Sequence, residues 1–156
     1  MTERAIDITG QAPALRISTD RDDLDIALIH DFLANQSSWA KGIDIARVRK
    51  SIANSLCFGG FVGKQQVAFA RVISDFATFA NLVDVFVLPA YRGRGYGTQL
   101  VEIIVAHPDL QGLRRFTLAT ADAHGLYERF GFALPSRPAN MMEIYVPNIY
   151  EIAGLR

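Results

Sequence analysis

Apolar positions recur along this chain with two different periods, and the switches between them lay out its elements. "ALRIST" is short and alternating, which predicts a first strand. In "TDRDDLDIALIHDFLANQ" the spacing becomes helical. Leu24, Leu28 and Phe32 form one stripe, Thr19 or Asp20 serves as the cap, and Asp22 and Asp23 suit the positive end of the dipole. "SSWAKG" breaks that pattern, and "IDIARVRKSIANS" resumes it with Ile45, Val48 and Ile52 on one face. "LCFGGFVG" and "QQVAFARVIS" predict two strands joined by a hairpin at Gly63-Lys64. "ATFANLVDVFVLP" predicts a long strand ended by Pro89. The next helix gathers Leu100, Ile103 and Ile104 and ends before Pro108. "LRRFTLAT" predicts another strand, "DAHGLYERFGF" a short helix closed by Gly131 at its C-terminal cap, and "MMEIYV" a last strand.

The resulting order, β-α-α-β-β-β-α-β-α-β, is that of an α/β protein whose mixed sheet contains at least one strand–helix–strand crossover. No repeat or linker interrupts it. A single domain over residues 1–156 is expected, with residues 1–13 as a flexible N-terminal tail.

Composition narrows the function classes. The 16 basic and 16 acidic residues cancel, so no excess charge draws the chain to nucleic acid or to an anionic membrane. Half the residues are hydrophobic, enough for a core without disulfides or metal. The single cysteine, Cys57, lies in an apolar run and reads as a buried, inert thiol. No paired Cys/His spacing suggests a metal site. The N-terminus carries acids and lacks an apolar leader region, and no apolar run approaches the roughly 18 residues of a membrane span. A cytoplasmic location is the expectation.

Chemistry concentrates in "VDVFVLPAYRGRGYGTQLVEII". A helix begins with unpaired backbone N–H groups and a positive dipole end. Glycines ahead of it let those donors approach an anion closely, and Arg92 and Arg94 add charge beside it. Phosphate or pyrophosphate is the natural ligand. The dinucleotide pattern G-x-G-x-x-G is not met here, and a phosphate loop would need a Gly-Lys-Ser/Thr ending that this chain lacks.

The stretch "VFVLPAYRGRGYGTQLV" resembles the acyl-CoA signature of the GNAT superfamily of N-acetyltransferases, in which a strand ending V-x-P leads into Q/R-x-x-G-x-G/A at the start of a helix. A second motif, "TADAHGLYERFGF", is similar to the family's N-x-x-A-x-x-x-Y-x-x-x-G-F, with Ala123, Tyr127, Gly131 and Phe132 matching and Thr120 in place of the usual Asn. The likeness runs from about Leu15 to Val146. It implies a GNAT fold, with a central mixed, mostly antiparallel sheet flanked by helices. It also implies acetyl-CoA as co-substrate, bound by Arg92, Gly93, Arg94, Gly95, Tyr96, Gly97 and Thr98 at the pyrophosphate, by Phe86, Val87 and Leu88 along the pantetheine, and by Thr120. No metal is implied. The acceptor is a small-molecule or peptide amine, with no nucleic-acid or membrane partner, and a homodimer is allowed.

Transfer of an acetyl group to an amine sets two proton problems. At neutral pH only about one lysine-like amine in 2,500 is uncharged, so a base must collect a proton, and the leaving thiolate must receive one. The resemblance places Tyr127 as the acid. Asp84 interrupts an apolar strand, where it can take a proton, hold a cationic substrate, or sit in a buried ion pair. His124, three residues before Tyr127, is the other candidate base or else a surface residue. His30 and His107 read as surface groups. Trp39 can wall the acceptor pocket or cover the core. The reading that unites these features is an N-acetyltransferase acting by direct attack in a ternary complex. The alternative is a non-catalytic acyl-CoA-binding or interaction module of the same fold.

Overall fold

The computed structural model describes residues 13–152. Of the expected N-terminal tail, all but Pro13 lies outside the described residues. A five-stranded sheet in the order β1-β2-β3-β4-β5 forms the frame, with β1 at Arg16–Ser18, β2 at Leu56–Val62, β3 at Gln65–Ser74, β4 at Phe79–Val87 and β5 at Arg115–Leu118. The first four strands are antiparallel neighbours, and β4 and β5 run parallel. The β2–β3 hairpin turns at Gly63-Lys64, with Val62 opposite Gln65 and Gly63 at φ 59°, the left-handed conformation that suits glycine.

Helices α1 (Ile26–Asp31) and α2 (Ile45–Ala53) cover one face of the sheet, and α3 (Tyr96–Ala106) and α4 (His124–Glu128) cover the other. Strand β3 shows how one segment serves both layers. Ala68, Ala70 and Val72 join the cluster under α3, while Phe69, pointing the opposite way, joins Ile29, Phe32, Leu33, Val48 and Ile52. On the same side, the rings of Phe32 and Phe86 stack with centroids 3.9 Å apart, an arrangement that adds about 0.5–1.5 kcal/mol beyond burial.

Local chemistry moves several boundaries. The first helix does not start at Thr19 or Asp20. Asp20 caps only a one-turn 3₁₀ segment, Arg21–Asp23; Leu24 is extended; and Asp25 caps α1 by accepting from the Leu28 amide at 3.1 Å. A π-turn, Phe32–Gln36, prolongs α1. In α2 the face is Val48 and Ile52, with Ile45 more exposed, and in α3 it is Leu100, Val101 and Ile104, with Ile103 turned outward. The expected stop after α4 forms. Gly131, at φ 95°, gives its amide to the Glu128 carbonyl while Phe132 bonds back to Tyr127, a Schellman ending. The strand expected over "MMEIYV" does not form within the chain, where residues 141–146 are exposed and irregular. His30 and His107 are half-buried rather than surface groups. A ring nitrogen of His30 meets the Ile43 carbonyl at 3.0 Å, and the His107 ring accepts from the Asp109 amide at 3.1 Å. Cys57 is buried as expected, and burial pushes its thiol up to about 11. No helix among the described residues is long and apolar enough to cross a membrane.

Candidate active site

Strands β4 and β5 pair only from Phe79–Arg115 to Leu82–Leu118. β5 ends at Leu118, opposite Leu82, while β4 continues to Val87, bonded to β3 alone. The backbone of β4 past Leu82 therefore borders an opening between the strands. At that point β4 carries a bulge against β3, since Phe86 pairs with Phe69 but Val83 pairs with Arg71. The extra residue re-aims the chain, and Asp84 takes up the strain at φ 56°, at a cost of about 1 kcal/mol or more.

The bulge turns Asp84 towards the α1–α2 layer. Its Oδ2 accepts from Arg71 Nε at 3.0 Å and its Oδ1 from Trp39 Nε1 at 2.9 Å. The two charged side chains are only 15% and 11% exposed, for Arg71 and Asp84 respectively. Arg71 also donates to the Ser55 hydroxyl at 3.0 Å. Trp39 is 47% exposed and leans on Phe32 at 6.4 Å. Trp39, Arg71 and Asp84, together with Arg47, Lys50 and Tyr150, line an open cleft of about 540 Å³.

Past the opening, β4 runs through Leu88 and a 3₁₀ turn at Pro89–Tyr91 into the glycine loop. Gly93 and Gly95 have φ of 77° and 79°, and a Cβ on either would meet nothing within 4 Å. Their identity is set by backbone conformation, and the space above the loop is open. Gly95 is the N-cap of α3, with no side-chain cap bond, so no side chain there competes with an external acceptor for the first amides of the helix. Arg92 Nε donates to the Val87 carbonyl at 3.0 Å, and the Arg94 guanidinium lies 5.1 Å from the centre of the Tyr91 ring, which keeps both cations beside the loop. This donor set fits a phosphate or pyrophosphate.

Several candidate residues have other structural duties. Tyr96 is buried, and its hydroxyl donates to the Pro13 carbonyl at 2.6 Å, so only its backbone faces the loop. Phe86 is buried against Phe32 and Phe69, which leaves only its backbone for a ligand. The Thr120 hydroxyl accepts from the Ala123 amide at 3.1 Å and supports the start of α4. Thr98 is half-buried in the first turn of α3.

Tyr127 lies in the α3–α4 core, edge-on to Phe132 at 5.9 Å. Burial pushes its phenol above the ordinary tyrosine value, and the Asp122 carboxylate adds to the rise. The group stays protonated through neutral pH, in the form that can donate. His124 is exposed at the start of α4 and borders the same cavity as Tyr127. Asp84 and Tyr127 belong to opposite layers, one on each side of the sheet that opens between β4 and β5.

Sequence reasoning did not single out Arg71. Its signal was present: one cation in the apolar strand "QQVAFARVIS" and one anion in the neighbouring "NLVDVFVLP". No group of three or more His, Cys, Asp or Glu side chains suited to a metal ion occurs among the described residues.

Known proteins resemble this chain in sequence and fold. A GNAT-family protein of Xanthomonas campestris pv. campestris with a solved crystal structure is 60% identical, with a TM-score of 0.88, covering 90% of this chain and 99% of that one. A Clostridium acetobutylicum protein solved with acetyl-CoA is 16% identical over 85% of this chain and 95% of its own, with a TM-score of 0.60, a likeness of fold. A Gibberella zeae protein that carries an acetyltransferase name is 29% identical over 133 residues, 71% of this chain and 74% of that protein. A family model for the acetyltransferase (GNAT) domain matches residues 53–134, more than half the chain, and the chain belongs to that family.

Proposed function

We propose that this protein is an acetyl-CoA-dependent N-acetyltransferase that acetylates a primary amine by direct attack in a ternary complex. The observation that carries the reading is the course of β4. It leaves β5 after Leu82, continues to Val87 bonded to β3 alone, and leads directly into the uncapped, glycine-opened start of α3. An extended amide-containing arm suits the first part and a pyrophosphate suits the second. Family membership supports an acyltransferase.

Acetyl-CoA supplies an acyl group activated as a thioester. The Gly93–Thr98 amides and the two loop arginines hold its phosphates. The acceptor enters by the Trp39 cleft, where Asp84 receives a proton from the ammonium, directly or through water. The freed amine nitrogen forms the bond to the acyl carbon, the carbon–sulfur bond breaks to release the CoA thiolate, and the nitrogen's surplus proton passes to solvent. Tyr127 donates to the departing sulfur. Its raised pKa makes full transfer of the proton to a thiolate of ordinary basicity costly, so the phenol acts chiefly as a hydrogen-bond donor to developing charge. Cys57 is buried and protonated and takes no part as an acyl carrier.

The deciding experiment measures release of free CoA thiol from acetyl-CoA across a broad amine panel. Turnover with initial rates that need both substrates together supports the ternary mechanism. A chain that binds acetyl-CoA but turns over with no amine is a binding module instead.

A further inference from the structure

The cleft beside Trp39 is unbalanced in charge. Its lining holds three cations, Arg47, Lys50 and Arg71, against one anion, Asp84. Two of these four charges answer each other. Arg71 and Asp84 form the 3.0 Å pair, and the second oxygen of Asp84 accepts from Trp39. Arg47 has Asp44 at 3.7 Å, but Asp44 is not part of the lining. Glu151, next in the chain to the lining residue Tyr150, pairs with Lys41 at 4.0 Å. Lys50 is exposed and makes no ion pair with a carboxylate among the described residues.

The surplus charge lies along one helix. Arg47, Lys50 and Ser51 follow at i, i+3 and i+4 in α2, the spacing of a single face. The connection between α1 and α2 contributes Trp39, Ala40 and Ile43, which are apolar or aromatic. A space of about 540 Å³ is that of a small-molecule site. An acceptor that arrives as an ammonium brings one more positive charge into this cleft. Without an anion of its own it enters against the field of the α2 cations, and with one it is drawn in.

We propose that the acceptor is a small amine that also bears an anionic group, a carboxylate or a phosphate. Lys50, with Arg47 one turn before it, holds the anion, and the amine end lies at Asp84. This inference rests on the reading of the Trp39 cleft as the acceptor's place and adds the substrate class to it.

The test compares matched amines that differ in the anion. One arm sets L-α-amino acids against their α-carboxamides, and the other sets aminoalkyl phosphates against the parent amino alcohols. The readouts are kcat/KM from release of CoA thiol and, independently of turnover, the fluorescence of Trp39, the chain's sole tryptophan. The anionic member is expected to be preferred about tenfold or more in one arm, and that arm names the anion. Lys50→Met should shrink the preference, and Lys50→Glu should abolish or reverse it. Each preference is a ratio within one protein, so a poorly folded variant moves both terms alike. Equal use of anionic and neutral amines in both arms overturns the proposal and leaves acetyl transfer standing. A preference that survives both Lys50 substitutions overturns it too, because the anion is then held elsewhere. If no amine is turned over, the acetyl-transfer reading falls and the fluorescence titration decides. Saturable binding that favours the anionic member and depends on Lys50 supports the proposal, and binding without that preference, or none, overturns it.

Discussion

The Trp39 indole donates to Asp84 across 45 residues of sequence, at 2.9 Å, while Arg71 holds the other oxygen of the same carboxylate at 3.0 Å. A loop tryptophan is thereby fixed to the bulge in β4. The carboxylate orients the ring, and the ring and guanidinium leave the carboxylate few positions. Charge, aromatic wall and strand end become one rigid feature.

Asp84→Asn tests that feature with little added backbone strain, since asparagine also tolerates the left-handed conformation found here. The amide oxygen can keep the Trp39 bond, but Arg71 loses its counter-charge. Chemical denaturation should show a loss of about 3 kcal/mol, the low end for breaking a largely buried pair. Acetyl-CoA affinity should hold while kcat/KM for the amine falls about 10²-fold. Loss of stability with full turnover would make the pair structural only.

How much of this was legible in the sequence depends on the range of the forces involved. The Gly63-Lys64 hairpin and the Gly131 helix end are local, set by left-handed glycines next to periodic segments, and both form as expected. The glycine loop is equally local. The true cap of α1 is Asp25 and not Thr19 or Asp20, because a run with aspartates at 20, 22, 23 and 25 offers several caps of similar merit and the tertiary bond from the Asp25 amide to Gln66 selects one. The Arg71–Asp84 pair was hidden by the bulge. Plain alternation from Leu82 puts residue 84 on the α3 side, and only the extra residue in β4 turns its carboxylate to Arg71 and Trp39. "MMEIYV" has the alternation of a strand, but alternation describes faces and not partners.

Two glycines of the loop should respond in opposite ways to the same added methyl group. Gly95, at φ 79°, should lose about 1 kcal/mol as alanine, and its altered cap should weaken acetyl-CoA binding. Gly97 lies inside α3, where a Cβ would meet Leu126 and Val87 at an ordinary 4.0 Å. Gly97→Ala should therefore raise stability by about 0.5–1 kcal/mol and leave affinity nearly unchanged. Thermal melts with and without CoA separate the two effects. Equal binding by both variants would move the phosphate site away from the loop.

Cys57 should resist alkylation in the folded protein at neutral pH. Burial holds the thiol protonated, with its pKa raised to about 11, and only the thiolate is nucleophilic. Iodoacetamide should label it at the rate of global unfolding, and Cys57→Ala should retain turnover. Rapid labelling accompanied by loss of activity would instead point to a covalent acyl-enzyme route.

Tyr127→Phe isolates the phenol. The ring packs edge-on against Phe132 within the α3–α4 core, and phenylalanine preserves that packing, so the fold should survive. The hydroxyl is used only as negative charge grows on sulfur. Acetyl-CoA affinity should then change little, while kcat falls about 10²-fold. The deficit should shrink with a thioester whose thiol is more acidic, because that leaving group needs less help. The pH profile adds a check on sign. Burial and Asp122 raise the phenol's pKa, so the donor form persists from acid through neutral pH and is lost only above the ordinary tyrosine range. Wild-type kcat should therefore show no alkaline decline from Tyr127 below about pH 10. The measurement is kcat against pH for both proteins with both donors. Near-normal turnover by the phenylalanine variant with acetyl-CoA would reduce Tyr127 to a packing residue and leave the thiolate to be protonated by solvent.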